Sequence, residues 1–202
     1  MRMHIPHRQT GATLVVALVM LLVVTMIGVT SMRSATLEER MSGNFRDYQL
    51  AFEAAELALR EAERTVANLP PFNPGSFSST CAGGMCFTGD YDPNDPNSAC
   101  RFDGDEDIVW SDTSTDYNVW ASDNTPKKYM EATKLADNVS QEPRYIIEFR
   151  CHSPTAPNPS TVAYVDSGWK AEWGETYRIT AIGYGGSVNA RVMLQSTYVK
   201  GM

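Results

Sequence analysis

From Ala12 to Met32 twenty-one consecutive residues carry no charge, and most of them are Leu, Val, Met, Ile or Ala. At about 1.5 Å per helical residue such a run reaches about 31 Å, roughly the thickness of a bilayer's hydrocarbon core. The stretch therefore predicts a membrane-spanning helix. Arg2 and Arg8 precede it without an acid among them, and the first carboxylates, Glu38 and Glu39, follow it. The bias of cationic residues toward the cytoplasmic side then leaves the N-terminus inside and exports the remainder.

A secretory signal peptide shares the basic start and apolar middle, but it is shorter and ends at a composition break. Here the helical pattern continues past Arg33 without Pro or a turn cluster until Pro70-Pro71, which predicts one long helix. Its second half is amphipathic: Leu37, Met41, Phe45, Tyr48, Phe52, Ala55, Leu59, Ala62, Val66 and Leu69 recur every three or four residues. That stripe calls for a partner, a sheet of the same chain for its C-terminal half, and for residues 33–50 either that sheet or neighbouring helices. Gly28 and Gly43 interrupt the helix at places to bend or to pack closely.

Further on, strand signals are firm at Arg144–Arg150, Glu175–Gly183 and Asn189–Val199, the last two joined around Gly185-Gly186-Ser187. In the second of these Tyr177, Ile179, Ala181 and Gly183 alternate with Arg178, Thr180 and Ile182, and in the third Val192, Leu194 and Ser196 alternate with Arg191, Met193, Gln195 and Thr197. Each strand is expected to set one face on the long helix and the other outward. The fold class is α+β, a long helix laid on an antiparallel sheet. Between Pro70 and Asp107 the chain reads as irregular loop with few apolar anchors. Residues 108–110 and 117–121 read as short strands or turns, residues 126–135 as a polar connection with a possible helical turn at Tyr129–Ala132, and Cys151–Trp173 as a surface loop.

Gly11 followed by Ala12-Thr13-Leu14 and the apolar run resembles a type III, prepilin-type signal, in which a membrane peptidase cuts after the Gly and methylates the new N-terminus. Ser31 to Glu63, SMRSATLEERMSGNFRDYQLAFEAAELALREAE, resembles the N-terminal helix of the PilX family of type IV pilus minor pilins, and the order PRYIIE, YRITA, ARVMLQSTY is similar to that family's strands. The resemblance implies a type IV pilin-like fold with a leader at 1–11, a transmembrane segment at 12–32, an amphipathic stalk at 33–69 and a periplasmic or extracellular globular domain at 70–202. It implies a minor pilin that initiates pilus assembly and sits at the fibre tip, supporting adhesion and twitching motility. The implied partners are the prepilin peptidase, the inner-membrane assembly platform, other minor pilins, the major pilin and a pilus-tip adhesin. The protein would reside in the bacterial inner membrane and, after assembly, in the surface pilus.

One position departs from the family's pattern. In most type IV pilins the fifth mature residue is Glu, read as pairing with the methylated N-terminal amine of the preceding subunit; counted from Ala12, position five is Val16. With no acid in the span, this subunit can offer an amine to its successor but cannot answer a predecessor's.

All four cysteines, Cys81, Cys86, Cys100 and Cys151, lie beyond the helix, and an even number in an exported segment points to disulfides. Three pairings are possible. Cys81 with Cys86 is favoured because Ala-Gly-Gly-Met permits a tight loop, leaving Cys100 with Cys151. A zinc site is the rival, but the spacing lacks paired knuckles. Asp103, Asp105 and Asp107 alternate as in Ca²⁺ loops, yet Ile108 stands where the sixth-position Gly belongs and Ser114 where the bidentate Glu belongs. A solvated acidic loop is the better reading, and no cofactor is expected.

Residues 1–33 carry three Arg and no acid, so the remaining 169 hold 14 basic against 24 acidic residues, a net of −10 that argues against nucleic acid. Catalysis is also disfavoured. His4 and His7 lie in the leader, His152 reads as a lone exposed residue beside a cysteine, and no nucleophile or metalloprotease motif accompanies it. Trp110, Trp120, Trp169 and Trp173 read as core or rim packing. The alternative class is a single-pass, membrane-anchored periplasmic binding protein, which shares helix and cystines but is not processed after Gly11.

Overall fold

One helix, α1, runs Ala12–Asn68 in the computed structural model, which describes residues 12–87, 92, 118–133, 138–158, 164–165, 168–169 and 171–201. It stops where Pro70 and Pro71 remove two amide donors and push Leu69 out of helical conformation. The chain forms two units, the first ending at Phe45 and the second beginning at Arg46.

In the second unit α1 lies on a sheet. Met85–Cys86 forms β1, Met130–Glu131 β2, Arg144–Pro154 β3, Trp173–Tyr184 β6 and Arg191–Gly201 β7, while Tyr164–Val165 and Gly168–Trp169 make a small separate hairpin, β4 with β5. The sheet order is β1-β3-β6-β7, with β2 also on β3. Pairing is antiparallel from β3 through β7, as expected, but β1 joins β3 in parallel. The three long strands stand where sequence patterning places them and run longer. A bulge between Phe149 and Cys151 carries β3 on to Pro154, so the expected surface loop begins as strand. Tyr129–Ala132 is no helical turn: Met130 and Glu131 pair with Tyr145 and Arg144. The short strand expected at 108–110 lies outside the described residues, and residues 118–121 form a turn held by Ala121 N–H donating to the Asn118 carbonyl.

The helix buries Ala51, Ala54, Ala55, Ala58, Ala62 and Val66. The expected stripe therefore supplies only Ala55, Ala62 and Val66 as fully buried residues, and Phe52, Leu59 and Leu69 sit at the margin. The reason is distance. A Cβ on Gly183 would fall 2.2 Å from the Ala51 carbonyl oxygen and 2.3 Å from the Ala55 nitrogen, so the β6 backbone approaches α1 more closely than any large side chain permits. Tyr177, Ile179 and Ala181 continue this face of β6 against Ala58, Ala62 and Val66.

The segment after the helix is better anchored than its composition suggests. Phe72 stacks on Phe149 with ring centroids 3.5 Å apart, and Phe77 and Phe87 pack around the pair. The other face of the sheet is also covered, contrary to expectation. Ile146, Thr180, Ile182 and Tyr184 are buried, the first, third and fourth beneath Cys81, Cys86, Val119, Trp120 and Tyr129. On this face Arg178 makes a bidentate ion pair with Glu148, both contacts 2.7 Å. Arg144 lies 4.4 Å from the Tyr129 ring centroid and donates to the Trp120 carbonyl at 2.5 Å.

The Cys81–Cys86 disulfide shapes this second layer. Between its cysteines Gly84 takes φ +79°, and a Cβ there would meet the Met130 nitrogen at 2.8 Å. Only glycine fits the turn that seats the loop on β2.

Candidate functional site

The functional surface begins with the part of α1 that stands exposed among the described residues. Every residue from Ala12 to Phe45 is exposed, the large apolar ones included. Three hydroxyls of the span bond back to the helix: Thr25 Oγ1 donates to the Leu22 carbonyl at 2.8 Å, Thr30 Oγ1 to Met26 at 2.6 Å and Ser31 Oγ to Ile27 at 2.9 Å. Such back-bonding is what a helix in lipid needs, since no water is there to satisfy a hydroxyl. The helix is long and apolar enough to cross a membrane. Ala12 is its first described residue, Gly11 lies outside the described residues, and Val16 stands 59% exposed among aliphatic neighbours.

Beyond the span the stripe splits. Leu37, Met41, Phe45 and Tyr48 are exposed, with Phe45 at 64%, whereas the buried residues start at Ala51. Asp47 marks the changeover. Its carboxylate accepts from the Gly186 amide, from the Ser187 amide at 3.3 Å and from the Ser187 hydroxyl at 2.9 Å, pinning α1 to the β6–β7 turn. Sequence reading missed this contact because an exposed-looking Asp on a charged helix has no local signature; the glycine pair in the turn is the one available hint.

At the other end of the packed segment Glu175, only 1% exposed, gathers three donors. The Phe72 amide lies 2.5 Å from Oε1, the Tyr177 hydroxyl 2.8 Å from Oε2, and Lys200 Nζ 3.6 Å from Oε2. Burial and the adjacent carboxylate push the Tyr177 phenol far above its ordinary range, so it stays a neutral donor. Lys200 also donates to the Leu69 carbonyl at 2.5 Å, capping the open end of α1.

Of the cysteines, Cys81 and Cys86 are bonded to each other as the glycines suggest; Cys151 is disulfide-bonded, and its expected partner Cys100 lies outside the described residues. Asp103, Asp105 and Asp107 also lie outside them. Among the described residues no three His, Cys, Asp or Glu side chains cluster as a metal site requires.

His152 corrects the sequence reading. It is 3% exposed, not a surface residue, because the bulge turns it inward against Phe149 at a centroid distance of 5.3 Å. Burial lowers its pKa from 6.5 to about 4. Between those values the unfolded chain binds the proton and the folded one does not. This contribution to stability is therefore complete above pH 6.5 and declines as pH falls toward 4, by about 3 kcal/mol at full extent. Thermal midpoints measured from neutral pH to about 4 are expected to fall more steeply for the wild type than for His152→Gln; parallel curves would refute it.

A lipid-length apolar helix continuing into a segment that packs on a sheet, with a cystine-held loop on the far face, defines an α+β protein of the type IV pilin kind. Two family models match, "PilX N-terminal" over residues 10–60 and "Type IV pilus assembly protein PilX C-term" over residues 83–200, and the chain belongs to that family. It is thus a minor pilin associated with type IV pilus assembly, a structural component that works together with other pilins. No curated protein and no solved structure matches it at a significant level.

Proposed function

We infer that the protein is cut after Gly11, methylated on Ala12, and inserted as the first subunit of the pilus, so that it initiates assembly at the inner membrane and then stands at the fibre tip. The observation that carries this is Val16. Position five of the mature chain lacks the carboxylate that would answer a preceding subunit's amine, and no acid from Ala12 to Met32 replaces it. A subunit with nothing ahead of it loses nothing by the lack. The exposed apolar surface from Leu14 to Phe45 supports the reading, because it is available to lipid before assembly and to neighbouring helices afterwards.

In this reading residues 1–11 are the leader, the N-terminus is cytoplasmic, and the domain from residue 70 onward is periplasmic until the fibre emerges. The partners are the prepilin peptidase, the assembly platform, the other minor pilins, the major pilin beneath it and a large tip adhesin. Adhesion and twitching motility depend on the protein through the fibre that it starts.

Mass spectrometry of the purified protein tests the processing: loss of the first 11 residues with a methylated Ala12 is expected, and an intact Met1 would leave a membrane-anchored periplasmic binding protein instead. Immunogold labelling tests the place, with gold expected at one fibre end and filaments labelled along their whole length ruling the tip out. Val16→Glu should bring no gain in piliation. An unpaired carboxylate at membrane depth costs about 3 kcal/mol, and a first subunit has no amine to offset it.

A further inference from the structure

The buried carboxylates Glu148 and Glu175 each face a cation, Arg178 and Lys200. The buried cation Arg144 is placed differently. It is 8% exposed, and among the described residues no carboxylate pairs with it. Nη1 donates to the Trp120 carbonyl, and the guanidinium carbon lies 4.4 Å from the Tyr129 ring centroid and 5.5 Å from that of Tyr184. Nε is buried as well and has no hydrogen-bond partner among the described residues. A charged donor left unpaired out of water is costly, and such an atom calls for an acceptor that the surrounding residues do not supply. The acid directly opposite on β2, Glu131, gives its carboxylate to Lys127 at 2.7 Å instead. The bond from Nη1 does not use the edge formed by Nε and Nη2, which is a side on which a guanidinium takes both oxygens of a carboxylate at once.

We propose that this edge of Arg144 is a binding site for one carboxylate, held side-on by Nε and Nη2. The local charge favours an anion although the domain is acidic as a whole. Lys127, its side chain 53% exposed, holds its ammonium 5.8 Å from the centroid of the same Tyr129 ring, and Glu131 offsets one of these two cations. Exposure of only 8% leaves a narrow approach, which selects a single flat carboxylate over a tetrahedral phosphate or a polyanion. A small free acid and an acidic side chain of another protein offer the same chemistry. The inference uses burial, the unpaired Nε and the local charge, and stands apart from the tip reading.

The test uses the full ¹⁵N-labelled chain in detergent micelles, with the Nε–H resonance of Arg144 assigned through bonds from its backbone amide. Sodium formate, exchanged for sodium chloride at constant ionic strength, is expected to shift that resonance saturably with a midpoint below about 50 mM. The same series should raise the thermal midpoint of the wild type but not that of Arg144→Lys, which keeps the charge and loses the planar fork. Lys127→Ala should weaken formate binding about twofold, by removing one nearby charge. N-acetylglutamate amide run in parallel separates the sources: if it binds too, the site takes an acidic side chain, and if formate alone binds, it takes a small free acid. The proposal fails if chloride and formate move the resonance alike, if no saturation is reached by about 200 mM formate, or if Arg144→Lys is stabilised as much as the wild type. Should Arg144→Lys not fold, the wild-type resonance, set against chloride, still decides.

Discussion

Gly183→Ala is expected to be among the most damaging single substitutions in the domain, although it adds one methyl group. That methyl would fall 2.2 Å from the Ala51 carbonyl oxygen, 2.3 Å from the Ala55 nitrogen and 2.9 Å from the Ala54 carbonyl carbon. All three are helix backbone, so no side chain can rotate aside; α1 must lift from β6 or β6 must bend. Overpacking a core costs about 1–3 kcal/mol when side chains yield, and a contact that yields only by moving whole elements belongs at or above the top of that range. At about 2–4 °C per kcal/mol for a chain of this size, the thermal midpoint should drop by about 10 °C. Gly201→Ala, with nothing within 4 Å of the added atom, is the control and should change little. Circular dichroism melts of the two variants in the same detergent check this, and equal midpoints would show that the helix is not held as closely as the geometry says.

That contact also shows which parts of the fold the sequence announces. The three long strands are legible because alternation over seven or more residues has no other reading, and the pairing of β6 with β7 follows from the short turn at Gly185-Gly186. The helix is legible from length alone. Its buried face is not, because Ala51, Ala54 and Ala58 are good helix formers of neutral hydropathy that stand out only when the glycine opposite them is known. Phe72, Phe77 and Phe87 hide for a related reason: turn residues separate them, so no period links them, and only the fold gathers them around Phe149. His152 is misread because a bulge adds strand where the alternation stops. The candidate site divides the same way. The exposed apolar span and the missing acid at Val16 are visible in the bare sequence, whereas Asp47, Glu175 and Lys200 act across more than one hundred residues of chain and leave no local trace.

The last two of these residues set the second large expectation. Glu175 is a carboxylate deep in the domain, tolerable because the Phe72 amide, the Tyr177 hydroxyl and Lys200 Nζ surround it. Through Lys200, which also caps the Leu69 carbonyl, it ties the end of α1, the start of the following loop and the end of β7 to one point. Glu175→Ala leaves the Phe72 amide and the Tyr177 hydroxyl without their acceptor and the ammonium without its counter-charge. Breaking one side of a buried pair costs about 3–5 kcal/mol, most of it the burden of the groups left behind. Lys200→Met should cost less, because it strands one carboxylate that keeps two donors. If the charges act as a unit, Glu175→Gln combined with Lys200→Met should be markedly less damaging than Glu175→Gln and Lys200→Met taken singly and added together, since neither charge then remains buried alone; with the wild type these make four proteins. Chemical denaturation of the four proteins measures this coupling. Strict additivity would mean that the ammonium serves only the Leu69 carbonyl, and that Glu175 is held by its two neutral donors.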